Sequence, residues 1–527
     1  RCYIQDGMNK YSWVWALLSL AVLSGAFQFY SPKVFDPDAF YHITHAKIYR
    51  AQGLTYSEFP WVQFSVIKDL KADIWYGFHL LLIPLTFFSD PVLGIKLGSF
   101  LLTTTVLFSF YILLKKLAIR WPWFWVLLFF FFIPDTHFRF LVLRPHLITF
   151  VLSIAVFYFA IKKNNPGVLL ASAGLVFIHL ALGWIPALII LITLISARAV
   201  SNKFELKLLF AVLGGIAVGV IVRPNFLGAL KVAYVQIVEL LLAKFNHIPL
   251  RLGSELRPVS NLSLVTHEIL PLFLVVCPAI FILAWAIKNK IFKNISKTNQ
   301  TAITAGLSLS LIFGLMTIFV ARRAIDLWVG FSFIFVGLVF SFLADKYINY
   351  IHKHGRAVTA GGVVLILVML TNTLYYSLFK YPRQSPDHRN FKPAAEWLKD
   401  NSNDGDIVFH SYWDNFPILF FYDQKNYYIN GMDPVFLHAF DPGLNIKLYF
   451  FSIDKLLFIQ GEAFTCGANP CVPGTVISAH DSIKKDFKAK YVFVEPMRNP
   501  RFYNYLKNDN RFKETFTNPA TSIFEVL

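Results

Sequence analysis

Long apolar runs, broken by short polar stretches, fill the first part of the chain. Eleven of them, at 11–30, 93–114, 121–134, 146–161, 168–182, 184–198, 207–223, 269–287, 301–320, 327–344 and 357–379, are predicted to be membrane-spanning helices. A bilayer core takes about 20 apolar residues, within a range of roughly 17–25. Segment 74–89 is apolar as well, but its Trp75-Tyr76 pair and Pro84 suit an interface, and it is predicted to lie along the membrane as a juxtamembrane helix. From residue 380 the pattern changes. Charges recur regularly, Asn403-Asp404-Gly405-Asp406 reads as a turn, and 491–495 reads as a strand. The expected fold is therefore an α-helical polytopic membrane domain over 1–379, with a first outer loop at 31–92 and a long outer loop at 224–268. A soluble α/β domain follows at 380–527.

Composition agrees with that division. The 527 residues are 56% hydrophobic and only 15% charged, with a mean hydropathy of +0.54. Soluble domains carry about 25% charged residues, so a purely soluble enzyme and a disordered chain are both excluded. The net charge is +18. Five loops, at 115–120, 162–167, 198–207, 288–300 and 345–356, hold 15 Lys and Arg against two acids, while 380–527 holds 17 of each sign. The excess is thus a topology signal of the kind that marks cytoplasmic loops, and no nucleic-acid partner is expected. Eleven spans with the N-terminus inside put all five loops in the cytoplasm; a full crossing by 74–89 would put them outside. The expectation is a multi-pass inner-membrane protein with an extracytoplasmic C-terminal domain. There, Cys466 and Cys471 flank a Gly-Ala-Asn-Pro loop and could close a disulfide in an oxidising compartment.

On this topology the ionisable groups collect at one membrane edge, where they are costly and mark function. The first outer loop opens with Asp36, Asp38, His42 and His45. The second outer turn holds Asp135, His137 and Arg139, followed by Arg144 and His146. The long loop holds Glu255, Arg257, His267 and Glu268, and the next turn holds Arg322, Arg323 and Asp326. Carboxylates can take a proton from an attacking group or hold a metal, and arginines grip phosphate with a bidentate fork. Simpler roles exist for several of them. Asp36 and Asp38 could cap a helix beginning near Ala39, Asp135 could cap a turn, and Arg322-Arg323 could bind lipid headgroups. His179, inside a span, reads as a structural histidine.

The layout resembles the GT-C superfamily of membrane glycosyltransferases, which use polyprenyl-phosphate-linked sugars. Phe35-Asp36-Pro37-Asp38-Ala39-Phe40-Tyr41-His42 is similar to the first-loop motif of oligosaccharyltransferase catalytic subunits. The Phe-Asp-Pro string selects Asp36 as the catalytic acid, and the four-residue step from Asp to His selects Asp38. The resemblance places a second acid at Asp135, where the usual Asp-x-Asp becomes Asp135-Thr136-His137. It allows a divalent cation, Mg or Mn, held by Asp38, Asp135 and His137. It puts donor-phosphate binding at Arg322 and Arg323, with Arg139 and Arg144 assisting, and support at His42, His137, His146 and Glu268. Thr266-His267-Glu268 resembles a bacterial oligosaccharyltransferase motif. Tyr412-Trp413-Asp414 is similar to an acceptor-recognition motif, lacking its first Trp and its Tyr-Gly.

The resemblance implies inverting transfer of a sugar or oligosaccharide from a polyprenyl phosphate or pyrophosphate to a protein or envelope-glycan acceptor on the outer face. A transporter or flippase of lipid-linked sugars is the alternative. It would place polar groups near the bilayer midplane on broken helices, whereas these gather at one face.

Overall fold

The computed structural model describes residues 12–202, 204–259, 265–346, 355–454, 465–466, 469–470 and 479–527. Eight helical segments are long and apolar enough to cross a membrane: Ser12–Phe29, Pro91–Lys116, Leu180–Ser201, Phe226–Phe245, Leu270–Lys288, Lys297–Phe319, Arg322–Ala344 and Gly355–Asn401. The chain is a multi-pass membrane protein. Seven of the eleven predicted spans fall among these segments. The other four, 121–134, 146–161, 168–182 and 207–223, are shorter helices of 10 to 16 residues: Pro122–Phe131, His146–Ile161, Asn165–Ile178 and Leu206–Ile221. At 1.5 Å per residue, 16 residues reach only about 24 Å. The run at 146–161 matches its helix, whereas those at 121–134 and 168–182 continue past helices that end at Phe131, ahead of Pro134, and at Ile178.

The eighth segment, Phe226–Phe245, falls inside the loop expected at 224–268. Both of its ends are held at the same end of the bundle. Asn225 donates to the carbonyls of Leu70 and Lys71, and Lys244 donates to those of Leu256 and Val320. At the opposite end the basic loops meet. Lys163 pairs with Glu205 at 2.6 Å, Lys297 reaches the Val200 carbonyl, and the Arg120 amide donates to Ser341.

The loop after the first helix α1 (Ser12–Phe29) builds four elements over the polar end. Helix α2 (Asp38–Gln52) starts directly after Pro37, with an acid in its first turn, where the helix dipole favours one. It stops at Gly53, whose φ of 100° suits glycine. Helix α3 (Val66–Leu70) is capped by Ser65. Helix α4 (Tyr76–Leu82) runs into a tight turn at Ile83–Phe87, so the predicted juxtamembrane segment is a 12-residue helical stretch.

The C-terminal region carries a five-stranded mixed sheet in the order β2-β1-β5-β7-β6. Its strands are β1 (Ile407–His410), β2 (Tyr427–Tyr428), β5 (Tyr491–Val494), β6 (Phe512–Thr517) and β7 (Ser522–Val526). β3 (Thr465–Cys466) and β4 (Asn469–Pro470) form a separate hairpin. β1 pairs parallel with β2 and β5, and β7 pairs antiparallel with β5 and β6. Phe409, Phe451, Phe487 and Phe502 pack the core beneath it.

The first outer loop joins this sheet. Val62 bridges in parallel to Tyr428, the Gln63 amide donates to the Tyr428 carbonyl at 2.8 Å, and that of Phe64 to the Ile429 carbonyl at 2.9 Å. Phe416, Phe420 and Tyr428 belong to the same continuous core as Phe40, Tyr41 and the membrane helices. The predicted Cys466–Cys471 bond lies outside the described residues, since the Cys466 side chain and all of Cys471 are undescribed.

Candidate functional site

Between the polar ends of the helices and the C-terminal region lies a cavity of about 350 Å³. Asp38 and His42 line it from α2. Arg139 and Arg144 come from helix α7 (Pro134–Phe140, following α5, Pro91–Lys116, and α6, Pro122–Phe131) and the turn after it. Glu255, Arg323 and Asp326 come from later turns, and Trp413, Met432 and Asp433 from the C-terminal region. Phe150, Trp184, Phe313 and Leu327 supply apolar wall on the membrane side.

Arg144 is the hub. Its Nε and Nη2 donate to the two oxygens of Asp36 at 2.6 and 2.7 Å. Nη2 also lies 2.8 Å from an Asp38 oxygen, and Nη1 reaches both oxygens of Glu255 at 2.9 Å. Glu255 in turn accepts from Arg139 at 3.0 Å and Arg323 at 3.1 Å. Arg139 completes the chain by donating its Nε to Asp326 at 2.8 Å. Four carboxylates thus face three guanidiniums, and their charges do not cancel.

The unbalanced acid is Asp38. Its Oδ1 is buried and has no hydrogen-bond partner among the described residues. Burial pushes its carboxyl up to about 7; Arg144 pulls the other way, and the Asp36 and Glu255 charges add to the rise. Glu255 shows the opposite balance. Burial would raise it, but three arginines hold it well below the usual carboxylate range. Asp433, buried in the far wall, is also raised by burial.

The expected site residues fall into three groups. Asp38, His42, Arg139, Arg144, His146, Arg323 and Trp413 line the cavity. Asp36 stands behind it on Arg144. Tyr412 lies between the guanidiniums of Arg251 and Arg498, at 4.5 and 3.5 Å, and Asp414 pairs with Arg498 at 2.8 Å, so these two brace Trp413. Asp135 and Arg322 pair with each other at 3.3 Å, off the cavity wall. His137 is fully buried, bonded to the Phe130 carbonyl and packed edge-on against Phe27. The Glu268 side chain lies outside the described residues.

The metal grouping of Asp38, Asp135 and His137 is not assembled: one binds Arg144, one pairs with Arg322, and one is packed among phenylalanines. Among the described residues, the one group of three candidate ligands within 4.8 Å is His45, Asp73 and His79.

Sequence reasoning underrated Glu255 and passed over Gln236, Asp433, Asp73 and His79. His179 also reaches the wall, with Nε2 accepting from Trp75 Nε1 at 3.3 Å. A usable signal existed for Asp73 and His79: an acid and a histidine six residues apart at the start of an otherwise apolar segment. Glu255 had none, since a polar loop normally carries acids. No family model matches this chain, and no curated protein matches it at a significant level.

Proposed function

We propose that this protein is an inverting membrane glycosyltransferase of the GT-C kind. It takes a sugar or oligosaccharide from a polyprenyl phosphate or pyrophosphate and passes it to a protein or envelope-glycan acceptor at the outer face of the inner membrane. The observation that carries this reading is the Asp38 carboxyl, which lines a cavity with apolar wall on its membrane side: one oxygen is held by Arg144, and the other is buried without a partner among the described residues.

In this reading the donor's tail stays in the bilayer while its phosphate meets Arg323 and Arg144. Arg323 is the more available: its side chain is 30% exposed, and among the described residues it bonds to Glu255. Its positive charge stabilises the phosphate as it leaves. The Asp38 carboxylate accepts the acceptor's hydroxyl or amide hydrogen, orients the nucleophile and draws off its proton as the new bond forms. Trp413 and Asp433 bring the C-terminal region to the acceptor side.

The topology belonging to this reading counts the four shorter helices as crossings, giving eleven. Phe226–Phe245 rests along the outer face, because both its ends are tied there. The basic loops then lie in the cytoplasm and the site outside. A flippase would need its polar groups near mid-membrane; a cluster at one end supports transfer.

The test is turnover by the full chain in proteoliposomes. Polyprenyl phosphate- and pyrophosphate-linked sugars serve as donors, and released polyprenyl phosphate is measured by mass spectrometry. Asp38→Asn is expected to lose about 100- to 10,000-fold in turnover. Full activity in both Asp38→Asn and Asp36→Asn, or flipping without a covalent product, would overturn the proposal.

A further inference from the structure

Behind the cavity, away from the arginine network, runs a buried line of hydrogen bonds that the transfer chemistry above does not use. Asp73 Oδ2 lies 2.6 Å from His79 Nδ1. The other nitrogen of His79, Nε2, lies 2.8 Å from His42 Nδ1. His42 lines the cavity one helical turn along α2 from Asp38.

The line has a sense. Asp73 is buried beside α4, and burial alone would raise it. Hydrogen bonds from His79 Nδ1 at 2.6 Å and the Trp75 amide at 2.8 Å favour its ionised form and work against that rise. Tyr49 donates to it as well, at 3.1 Å. An ionised Asp73 accepts, so His79 carries its proton on Nδ1. His79 Nε2 is then bare and accepts from His42 Nδ1–H. That leaves the far nitrogen of His42, Nε2, as a lone pair.

A metal centre at His45, Asp73 and His79 fits these residues less well. The two imidazole rings lie only 18° from parallel, with centroids 4.3 Å apart. Lone pairs lie in the ring plane, so two stacked rings send theirs side by side rather than to one point. Both rings instead turn a nitrogen toward one carboxylate oxygen, at 2.6 and 3.9 Å.

We propose that His42, His79 and Asp73 form a buried proton-accepting relay beside the cavity: His42 takes the proton released by the acceptor, and His79 and Asp73 position it and hold the charge. This rests on the transfer reading above. In the balanced step, the acceptor oxygen or nitrogen bonds to the sugar's anomeric carbon. The bond from that carbon to the phosphate oxygen breaks, and its electron pair leaves with the phosphate. The acceptor's proton passes to Asp38 and then to His42 Nε2, while the His42 Nδ1 proton moves to His79 Nε2. The positive charge ends on His79, against Asp73. Asp38 is thereby returned to its ionised form for the next turnover.

Two measurements test this. The first needs no substrate: ¹⁵N-histidine solid-state NMR of the full chain in liposomes, with signals assigned by difference from His42→Gln and His79→Gln. Both His42 and His79 are expected as the Nδ1–H tautomer, the minor one in free histidine, and Asp73→Asn is expected to abolish that pattern. An Nε2–H tautomer at His79, or stoichiometric zinc in the purified protein that Asp73→Asn removes, overturns the relay.

The second measurement is kinetic, in the proteoliposome assay. His42→Gln is expected to lower kcat about 10- to 100-fold with KM nearly unchanged. His79→Gln and Asp73→Asn should shift the acid limb of the pH–rate profile. The groups facing His42 in that profile are Asp38, Tyr41 and His45 on its own helix, Asp73 and His79 from the segment packed against it, and Arg144 across the cavity. An unchanged kcat in His42→Gln overturns the relay while leaving transfer standing. A wild-type chain inactive with every donor overturns transfer, and the tautomers still report on the relay by themselves.

Discussion

Three acids, two neighbours in the first loop and one from far along the chain, converge on one guanidinium. Lysine could not replace Arg144, because a single ammonium has no planar fork to hold Asp36, Asp38 and Glu255 at once. The carboxylate left over, Asp38, ties stability to pH. Its folded value of about 7 lies above its value of 3.8 in the open chain. The folded protein therefore holds an extra proton between those values. The stabilisation this gives is complete below pH 3.8 and is lost as pH rises through 7. Asn imitates the protonated acid at every pH. Asp38→Asn should thus melt a few degrees above wild type at pH 8, with the gap narrowing steadily as pH falls toward 4, as thermal scans in detergent would show. Turnover should change in the opposite sense, with the wild-type rate rising as pH passes 7 because only the ionised acid can take a proton. A rate falling over that interval would remove Asp38 from the proton-accepting role.

At the scale of helices, close packing depends on two glycines in α11 (Leu206–Ile221, following α8, His146–Ile161, α9, Asn165–Ile178, and α10, Trp184–Ser201). A Cβ at Gly215 would meet the Leu169 carbonyl oxygen of α9 at 2.5 Å, and one at Gly219 would meet that of Ala173 at the same distance. Four residues apart, they form the small-residue stripe that lets membrane helices touch backbone to backbone. Gly214 faces only the end of Leu169, at 3.8 Å. Gly219→Leu should therefore cut the yield of folded, monodisperse protein severely, while Gly214→Leu should be nearly neutral; size-exclusion profiles of the two variants would separate these outcomes. Hydropathy made most long helices legible, since a run such as 301–320 has no soluble alternative. It overextended the C-terminal ends of α6 and α9, because the extended Ile133 before Pro134 and the extended His179 break the backbone without a change in the surrounding apolarity. Phe226–Phe245 failed differently: what keeps it at one end of the bundle is hydrogen bonding at Asn225 and Lys244, which no window average contains. Within the site, Asp38, Arg144 and Arg323 were legible as costly charges at an apolar edge. Which of Asp36 and Asp38 faces the cavity depended on Arg144 closing over Asp36 first, a contact between residues 108 apart.

For the whole molecule, the meeting of the basic loops at one end and of the acids and arginines at the other predicts sidedness. In a cysteine-free background, Met497→Cys in the C-terminal region should react with a membrane-impermeant maleimide on intact cells, since that residue is 91% exposed. Lys288→Cys at the basic end should react only after permeabilisation, and the reverse pattern would invert the topology. The bridge between the first loop and the C-terminal sheet also bears on how the protein is made. Trp61 bonds to the Gln424 carbonyl across 363 residues of chain, and its neighbours Val62–Phe64 run beside Tyr428 and Ile429. During synthesis these loop residues emerge early and have no partner until nearly every helix has been inserted and the final region has been made. The cavity is therefore assembled last. A nascent chain stalled before residue 424 would hold its helices in the membrane with the first loop still unpaired, so a half-made copy would carry no finished cavity.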